Sequence, residues 1–377
     1  MRISLIGPTY PFRGGIAHYT TLLERALRQQ HAVQFISFRR QYPSWLFPGQ
    51  TDRDTSARPL RADAVEYLLD PLAPWTWLHV ARRVQHYRPS LVVLPWWVPF
   101  WAVPFRIVTA FVKRFTAAKV IFICHNVLPH EAGSLDRLWA RLGLGQGDGF
   151  IAHSPDQVEQ LLTIFPRATV RCVPHPTYAV FRMDRWTKEA ARHELALNLE
   201  DRLLLFFGFV RPYKGLHHLL AAMPVILEQI EITLLVVGEF WRGRAETESQ
   251  IAQLGLGERV KLIDQYVPNE EIDLFFAAAD LVVLPYESAT GSGILQIAMG
   301  LERPAVVTNV GGLAEIVVHG ETGLIVPPCD SMALAEAIVH YFKEELESKF
   351  VENIRRSQAY FSWDIMVDAI GTFEMQT

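Results

Sequence analysis

Residues 203–215 read LLLFFGFVRPYKG, an apolar run that leads directly into a glycine and two cations. Five consecutive apolar residues are typical of a buried parallel strand, because helices cover both faces of such a strand. Gly208 ends the run, and Arg211 and Lys214 follow before the next helical pattern begins. Ligands bind to open parallel sheets at the carboxyl ends of the strands. This stretch therefore predicts an α/β fold with cations at a ligand-binding edge.

Short apolar runs alternate with amphipathic runs along most of the 377 residues, which is typical of parallel strands joined by crossover helices. We predict strands at residues 3–6, 33–38, 91–94, 120–124, 149–152 and 170–173, and again at 203–207, 233–237, 260–263, 281–284, 305–307 and 324–326. The segment 173–177 contains two prolines, Pro174 and Pro176, and is the predicted domain boundary. The prediction is two Rossmann-like, doubly wound parallel-sheet domains facing across a cleft, one over 1–176 and one over 177–360.

Charge is distributed unevenly along the chain. Residues 1–176 contain 20 Lys and Arg against 11 Asp and Glu, a net charge of +9, whereas the remaining residues carry a net charge of −13. A basic half favours an anionic membrane surface, a nucleic acid or a phosphorylated acceptor, and chance scatter of surface charge is the alternative. Half of the residues are apolar and a fifth are charged, which excludes disordered, collagen-like and coiled-coil proteins.

The three cysteines, Cys124, Cys172 and Cys329, are too far apart for a metal-binding or redox pair, and we expect buried thiols in a reducing cytosol. The first residues enter a predicted strand without a signal peptide pattern, so the predicted location is cytoplasmic. Residues 91–112 have the length of a membrane span and one charge, Arg106, but contain three prolines. We predict a buried strand and a helix over 102–115 there instead.

A glycine-bearing loop, residues 7–19, lies between the first predicted strand and the first helix. Gly14 and Gly15 would let a phosphate approach the backbone amides at the helix start, where the helix dipole favours negative charge. The spacing matches neither a dinucleotide-binding loop nor a P-loop. A tight turn is the alternative explanation for the two glycines.

His125 follows another predicted strand, at a position where it would hydrogen-bond a reacting sugar or be satisfied by the core. His130, Glu131 and His153 are nearby in sequence, but their spacing does not match a zinc motif. Asp52 and Asp54 flank an arginine in a polar loop and are expected to be solvated. No metal site is predicted.

The stretch 285–312 contains a predicted strand end, a Gly-Ser-Gly turn and a helix, and it predicts a second anion site at a helix N-terminus. Two such phosphate sites, one in each half, favour a nucleotide-linked donor as the ligand.

Taken together, these motifs resemble the retaining, nucleotide-sugar-dependent glycosyltransferases of the GT-B fold, specifically family 4 (group 1). The resemblance extends over nearly the whole chain and rests on the order and spacing of many positions. These are Gly14, Gly15, Tyr19, His125, Asn126, Arg211, Lys214, 237–239, 278–281, Arg303, Pro304, 311–315 and 319–323.

The resemblance implies an N-terminal acceptor domain, a C-terminal donor domain and a last helix, within 361–377, that returns to the first domain. It assigns catalysis to His125, Arg211 and Lys214, with the two cations stabilising the departing diphosphate without a metal or other cofactor. Eleven further positions are candidate donor-binding residues: Gly14, Gly15, Gly208, Gly238, Glu239, Tyr266, Glu287, Ser292, Gly293, Ile294 and Gln296.

One departure concerns the two glutamates, separated by seven residues, that the family usually carries. Depending on the gap, the matching pair is Ser288 and Gln296, or Ala289 and Ile297. Gln296 retains hydrogen-bonding capacity for a ribose but not a carboxylate's charge, and Glu287 is a candidate for partial compensation.

The leading hypothesis is transfer of a sugar from a nucleoside diphosphate sugar to a hydroxyl of a lipid-linked or polysaccharide precursor. The alternatives are a nucleotide-sugar epimerase and a catalytically weakened nucleotide-binding or scaffold subunit. Nucleic acid binding lacks a recognised module. The basic first half, with seven of ten tryptophans, predicts peripheral attachment to anionic membranes. The candidate lipid contacts are Arg39, Arg40, Arg82, Arg83, Lys113 and Arg114.

Overall fold

The computed structural model describes residues 1–43, 51–128 and 134–375. The chain forms two compact units. The first comprises residues 1–55, 59–175 and 362–377, and the second comprises residues 56–58 and 176–361. Each unit contains one fully parallel sheet with helices between its strands, so two Rossmann-like parallel-sheet units are confirmed.

The first unit is built on a seven-stranded sheet of order β3-β2-β1-β4-β5-β6-β7. Its strands are β1 (Arg2–Ile6), β2 (Ala32–Phe38), β3 (Val65–Leu69), β4 (Leu91–Trp96), β5 (Lys119–Cys124), β6 (Gly149–Ala152) and β7 (Val170–Cys172). Its helices are α1 (Gly15–Gln30), α2 (Pro74–Tyr87), α3 (Ala102–Phe115), α4 (Ser134–Leu144), α5 (Pro155–Ile164) and, from the end of the chain, α14 (Trp363–Gly371).

The second unit is built on a six-stranded sheet of order β10-β9-β8-β11-β12-β13. Its strands are β8 (Arg202–Phe207), β9 (Ile232–Val237), β10 (Val260–Ile263), β11 (Leu281–Leu284), β12 (Ala305–Thr308) and β13 (Gly323–Val326). Its helices are α6 (Lys188–Glu194), α7 (Leu216–Leu227), α8 (Arg244–Gln253), α9 (Ile272–Ala278), α10 (Gly293–Gly300), α11 (Leu313–Ile316), α12 (Ser331–Lys343) and α13 (Glu347–Ser357).

All twelve predicted strands are present, and the central ones are almost completely buried, as their apolar runs require. The sequence analysis missed β3, because Val65–Leu69 is a half-exposed edge strand that carries a glutamate and lacks a continuous apolar run. The helix predicted over 102–115 is confirmed as α3. The last helix begins at Trp363, and the Ser362 hydroxyl caps it by accepting a hydrogen bond from the amide of Ile365.

The aromatic residues of 96–101 lie mainly in the core of the first unit. Trp96, Trp97 and Trp101 are buried, and the Trp101 ring stacks on Phe38 at a centroid distance of 4.4 Å. Within residues 1–43, 51–128 and 134–375, no helix combines the length and apolar character needed to cross a bilayer. The expectation of three buried thiols is wrong for two of them. Cys124 is buried, but Cys172 and Cys329 are exposed, because each lies at or beyond a strand end.

Candidate functional site

The strand order places two of the predicted motifs at the switch point of the second sheet. From β8 the strands are added through β9 to β10 on one side and through β11 to β13 on the other, so the carboxyl ends of β8 and β11 flank the crevice in which such sheets bind ligands. Gly208 directly follows β8, and Pro285 directly follows β11. Two motifs that are about 80 residues apart in sequence therefore meet at one edge of the sheet.

Lys214 is the buried cation of this edge. The residue is 8% exposed, and its ammonium lies 5.4 Å from the centre of the Tyr286 ring. A Cβ added at Gly208 would lie 3.3 Å from the Lys214 ammonium and 3.0 Å from Ile294, so these residues surround one small space. No acidic side chain in the described parts of the chain forms an ion pair with Lys214. Burial, followed by repulsion from Arg211, lowers the pKa of Lys214 to about 7.

Arg211 is exposed and lies on an aromatic platform. The guanidinium carbon is 5.0 Å from the centre of the Tyr213 ring and 5.2 Å from that of Trp241. The Phe209 ring contacts Trp241 at 4.6 Å and stacks against Tyr266 at 6.4 Å. Arg211 is therefore held by ring faces, which leaves its planar donors available for phosphate oxygens.

Helix α10 provides the candidate anion site after β11. The Ser292 hydroxyl accepts a hydrogen bond from the amide of Leu295 and is also 3.5 Å from the Tyr286 hydroxyl. Gly293 is the first helical residue, and Ile294 packs beside Gly208. The side chain of Gln296 is fully buried, and neither of its amide atoms has a hydrogen-bond partner. A buried amide without partners is destabilising, so a hydroxyl that reached Gln296 would bind favourably.

The remaining donor-side candidates differ in their surroundings. Glu287 lies 3.1 Å from the Nε2 atom of His217 and 3.2 Å from that of His218, so its carboxylate is engaged with α7. Glu239 is buried, and its carbonyl accepts a hydrogen bond from the amide of Val210. Gly238 has a φ of 145° beside Gly208, where a Cβ would collide with the Gly208 carbonyl.

In the first unit, the glycine-bearing loop follows β1 and ends where α1 begins. Gly14 caps α1 with a φ of 105°, and a Cβ at Gly14 or Gly15 would meet no other atom within 4 Å. Packing therefore does not explain why Gly15 lacks a side chain, and the space beside it remains compatible with an anion.

His125 directly follows β5 and is fixed through its backbone. Its amide donates to the Trp96 carbonyl, and its carbonyl accepts a hydrogen bond from the side chain of Gln157. Its ring packs edge-on against Tyr19 at a centroid distance of 4.3 Å. Burial, and secondarily the neighbouring His153 and His175, lower the pKa of His125 well below its usual value, so the ring is neutral near pH 7.

The sequence analysis did not connect His153 and His175 with His125. His153 directly follows β6, and His175 lies three residues beyond β7, the next strand of the sheet. A histidine after each of three successive strands was the available signal, because the carboxyl ends of parallel strands meet at one edge. His130 and Glu131, considered with His125 from the sequence, lie outside the described residues.

Two family models match the chain and together span most of it. The model described as "Glycosyl transferases group 1" matches residues 187–357, and the "Glycosyl transferase 4-like domain" model matches residues 14–176. The chain belongs to the group 1 glycosyltransferases. The resemblance inferred from the sequence motifs is thus confirmed.

Similar proteins include other glycosyltransferases. A D-inositol 3-phosphate glycosyltransferase of Rhodococcus jostii is 28% identical over 237 residues, which are 60% of this chain and 52% of that protein. An uncharacterised glycosyltransferase of Methanocaldococcus jannaschii is 29% identical over 178 residues, or 46% of this chain and 44% of that protein. This group 1 glycosyltransferase spans about half the length of the curated relatives it matches.

Solved structures share the fold along the whole chain. HepE of Anabaena, solved in complex with UDP and glucose, has a TM-score of 0.74 at 19% identity, with 100% of both chains covered. Sucrose-phosphate synthase of Thermosynechococcus elongatus has a TM-score of 0.70 at 21% identity, with 100% of this chain and 98% of that chain covered. These similarities show the GT-B fold class predicted from the sequence.

Proposed function

We propose that this group 1 glycosyltransferase moves a sugar from a nucleoside diphosphate sugar to a hydroxyl of a lipid-linked or polysaccharide precursor. The observation that carries the proposal is Lys214, a buried ammonium without a carboxylate partner at the switch point of the second sheet. A buried, unpaired cation is costly, and a bound diphosphate would supply the missing charge. Arg211 lies three residues earlier, with a guanidinium suited to phosphate oxygens.

The chemistry proposed for this site is a same-face displacement. The bond between the anomeric carbon and the diphosphate oxygen breaks, and its electron pair moves to the diphosphate. The acceptor oxygen bonds to the anomeric carbon from the same face, and its proton passes to the departing phosphate. Arg211 and Lys214 stabilise the growing negative charge, so this mechanism requires no metal at the diphosphate. His125 orients the donor sugar through its neutral ring.

The relatives suggest which donors to test first. The HepE structures include complexes with UDP and with UDP-glucose, and a starch synthase structure of the same fold contains ADP and acarbose. We therefore propose a nucleoside diphosphate hexose as the donor. A panel of UDP, GDP and ADP sugars separates the possible bases and sugars.

The decisive experiment incubates the purified protein with each donor and an acceptor extract, with and without EDTA, and measures nucleotide release. We expect release with one class of donor, undiminished by EDTA. NMR of the product should show that the transferred sugar keeps the anomeric configuration it had in the donor. Loss of turnover on chelation would contradict the metal-free mechanism, and an inverted product would contradict the same-face displacement.

A nucleotide-binding or scaffold role is the second candidate, and the missing pair of acids favours it. Neither possible matching pair, Ser288 with Gln296 or Ala289 with Ile297, contains an acid, and Glu287 is already engaged by two histidines. Calorimetry distinguishes the two functions, because a scaffold would bind a nucleotide without turning over any donor in the panel.

We also propose that the first unit attaches to anionic membranes, with α4 as the contact surface. Leu135, Leu138 and Trp139 are 68%, 61% and 42% exposed, and their spacing places them on one helix face. Arg137 and Arg141 are exposed on the same helix. Exposed apolar side chains beside arginines suit an interfacial helix on anionic lipid.

The six basic residues predicted as lipid contacts are less suitable than α4. Arg40 pairs with Asp70, Arg83 with Glu66 and Lys113 with Asp148, so half of these cations already have anionic partners. The contact residues on α4 were missed because the analysis followed charge and tryptophan content rather than the pattern of exposure.

Sedimentation with vesicles of phosphatidylglycerol or phosphatidylcholine tests the surface. We expect binding to the anionic vesicles and its loss in a Leu138→Glu, Trp139→Glu double variant. Leu162→Glu, an exposed leucine on α5 of the same unit, is the matched control and should bind normally. Equal binding to both vesicle types would refute an anionic lipid partner.

A further inference from the structure

Three histidines converge at the carboxyl edge of the first sheet. His125, His153 and His175 follow β5, β6 and β7, which are neighbouring strands. One nitrogen atom from each ring lies within 4.8 Å of the other two. All three side chains are partly exposed, so small solutes have access to the cluster.

The spacing of the three rings matches the arrangement around a tetrahedral ion. With zinc–nitrogen bonds of about 2.0–2.1 Å, three imidazole rings have centres about 5 Å apart. The observed distances between ring centroids are 5.2 Å for His125 and His153, 4.8 Å for His153 and His175, and 6.0 Å for His125 and His175. Small rotations of the side chains would therefore bring three nitrogen atoms to one ion without movement of the strands.

The hydrogen bonding of His153 prepares one nitrogen for a metal. Its Nδ1 atom lies 3.0 Å from the Val173 carbonyl, which can only accept, so Nδ1 carries the proton. The Nε2 atom consequently has a free lone pair, and it is buried without a hydrogen-bond partner. A backbone carbonyl that orients the opposite ring nitrogen is the usual outer-shell arrangement of metal-binding histidines.

The Nε2 atom of His125 is also buried without a partner. Hydrophobic packing accounts for burial of the rings but leaves two polar nitrogens unsatisfied. A cation held by the lone pairs would satisfy them.

A second group of three possible ligands, His217, His218 and Glu287, lies in the second unit. There the carboxylate already accounts for the positions of both histidines, and two of the three side chains are exposed. The three ligand atoms of the first cluster are all histidine nitrogens, without a carboxylate among them.

We propose that His125, His153 and His175 bind one divalent transition-metal ion, of the zinc and cobalt type, through their imidazole nitrogens. Three imidazole ligands suit such ions better than magnesium or calcium, which prefer oxygen ligands. The ion would tie together the ends of three strands. Its proposed ligands include neither Arg211 nor Lys214, so failure of metal binding and failure of sugar transfer are measured separately.

Cobalt titration of the full chain, produced without a histidine tag and stripped with EDTA, tests the proposal. Tetrahedral cobalt gives intense visible absorption bands, and we expect these to saturate at one ion per chain. His153→Asn and His175→Asn should each weaken binding roughly 100-fold or more, beyond the 10–100-fold that loss of an outer-shell partner causes. The matched control, His79→Asn, removes an exposed histidine of the same unit and should bind normally.

X-ray absorption of the zinc-loaded, unmutated protein provides a readout that does not depend on how the variants fold. Three imidazole ligands support the proposed site, whereas two imidazoles with a carboxylate indicate His217, His218 and Glu287. Loss of the cobalt bands in His217→Ala but not in His153→Asn would overturn the proposal. Absence of tetrahedral bands in the unmutated protein at micromolar cobalt would overturn it as well.

Discussion

Two buried cations of the second unit, Arg192 and Lys214, are in opposite situations. Arg192 lies 2.7 Å from the carboxylate of Asp280 and donates a second hydrogen bond to the Ala278 carbonyl. Lys214 is comparably buried but contacts a tyrosine ring and a glycine instead of a carboxylate. Within the described residues, the fold supplies a carboxylate for Arg192 and none for Lys214.

The difference separates structural from functional positions within one set of motifs. Asp280 belongs to the segment 278–281 that supported the family resemblance, yet its carboxylate also accepts from the Leu203 amide and pairs with Lys188. It therefore joins α6, β8 and β11. In the described parts of the chain Lys214 joins no elements through an ion pair, and this contrast is the basis of the role proposed for it above.

Removal of Asp280 should have the largest effect on folding. Asp280→Ala leaves Arg192 buried without its counter-ion, and we expect a loss of about 3–5 kcal/mol in the free energy of unfolding, measured by urea denaturation. The matched control is Glu231→Ala, which breaks a surface pair with Arg259 and should cost less than about 1 kcal/mol. Equal destabilisation by both variants would mean that Arg192 does not depend on its buried partner.

Removal of the Lys214 charge should lower turnover without unfolding the protein. Lys214→Met keeps the volume of the side chain, and we expect the turnover number to fall by about 10²–10³ with the fold intact, as when one donor to a developing negative charge is lost. Lys261→Met, on an exposed lysine of the same unit, is the control. Normal turnover in Lys214→Met would show that the Lys214 charge is not needed for turnover. Lys214 would then not differ from Arg192 in function.

The sequence was sufficient to predict elements that depend on local patterns. Apolar runs predicted the twelve strands, because burial on both faces is a property of short segments. The half-exposed β3 was missed for the same reason. Two predicted site residues, Gly208 and Lys214, lie together because both follow the end of β8. Ile294 lies beside them because it follows β11, the strand next to β8.

Properties that depend on tertiary environment could not be predicted in this way. The sequence shows two cations at 211 and 214, but only the structure shows that Lys214 is buried and Arg211 lies exposed on aromatic rings. The histidine cluster combines residues that are 50 positions apart in sequence. Its members become neighbours because three strands are adjacent, which required the strand order of the sheet.

The affinity for the donor should depend on pH through Lys214. Its pKa of about 7 in the free protein lies below the usual 10.5, so the ammonium loses its proton as the pH rises above 7. A sugar-linked diphosphate has no phosphate that titrates near neutrality, unlike a terminal phosphate with a pKa of about 6. We expect the affinity for the best donor to fall by up to about tenfold per pH unit above 7, measured by calorimetry.

Lys214→Arg is the comparison for this measurement, because a guanidinium stays charged throughout that range. Its affinity for the donor should be lower at pH 7 but nearly constant up to pH 9. An unmutated protein with a flat profile would show that the Lys214 ammonium does not contact the donor.

A further expected effect is on the stability of the ligand-free protein. The folded state releases the Lys214 proton near pH 7, whereas the unfolded chain retains it to about pH 10.5, the usual value. Between these values the unfolded state binds more protons, so this residue makes the free energy of unfolding increase with pH, by at most about 1.4 kcal/mol per unit. Lys214→Met lacks this dependence on pH. Its free energy of unfolding should exceed that of the unmutated protein at pH 7, and the difference should shrink towards pH 10. A difference between the unmutated protein and Lys214→Met that stayed constant from pH 7 to 10 would show that the Lys214 ammonium does not lose its proton in that range.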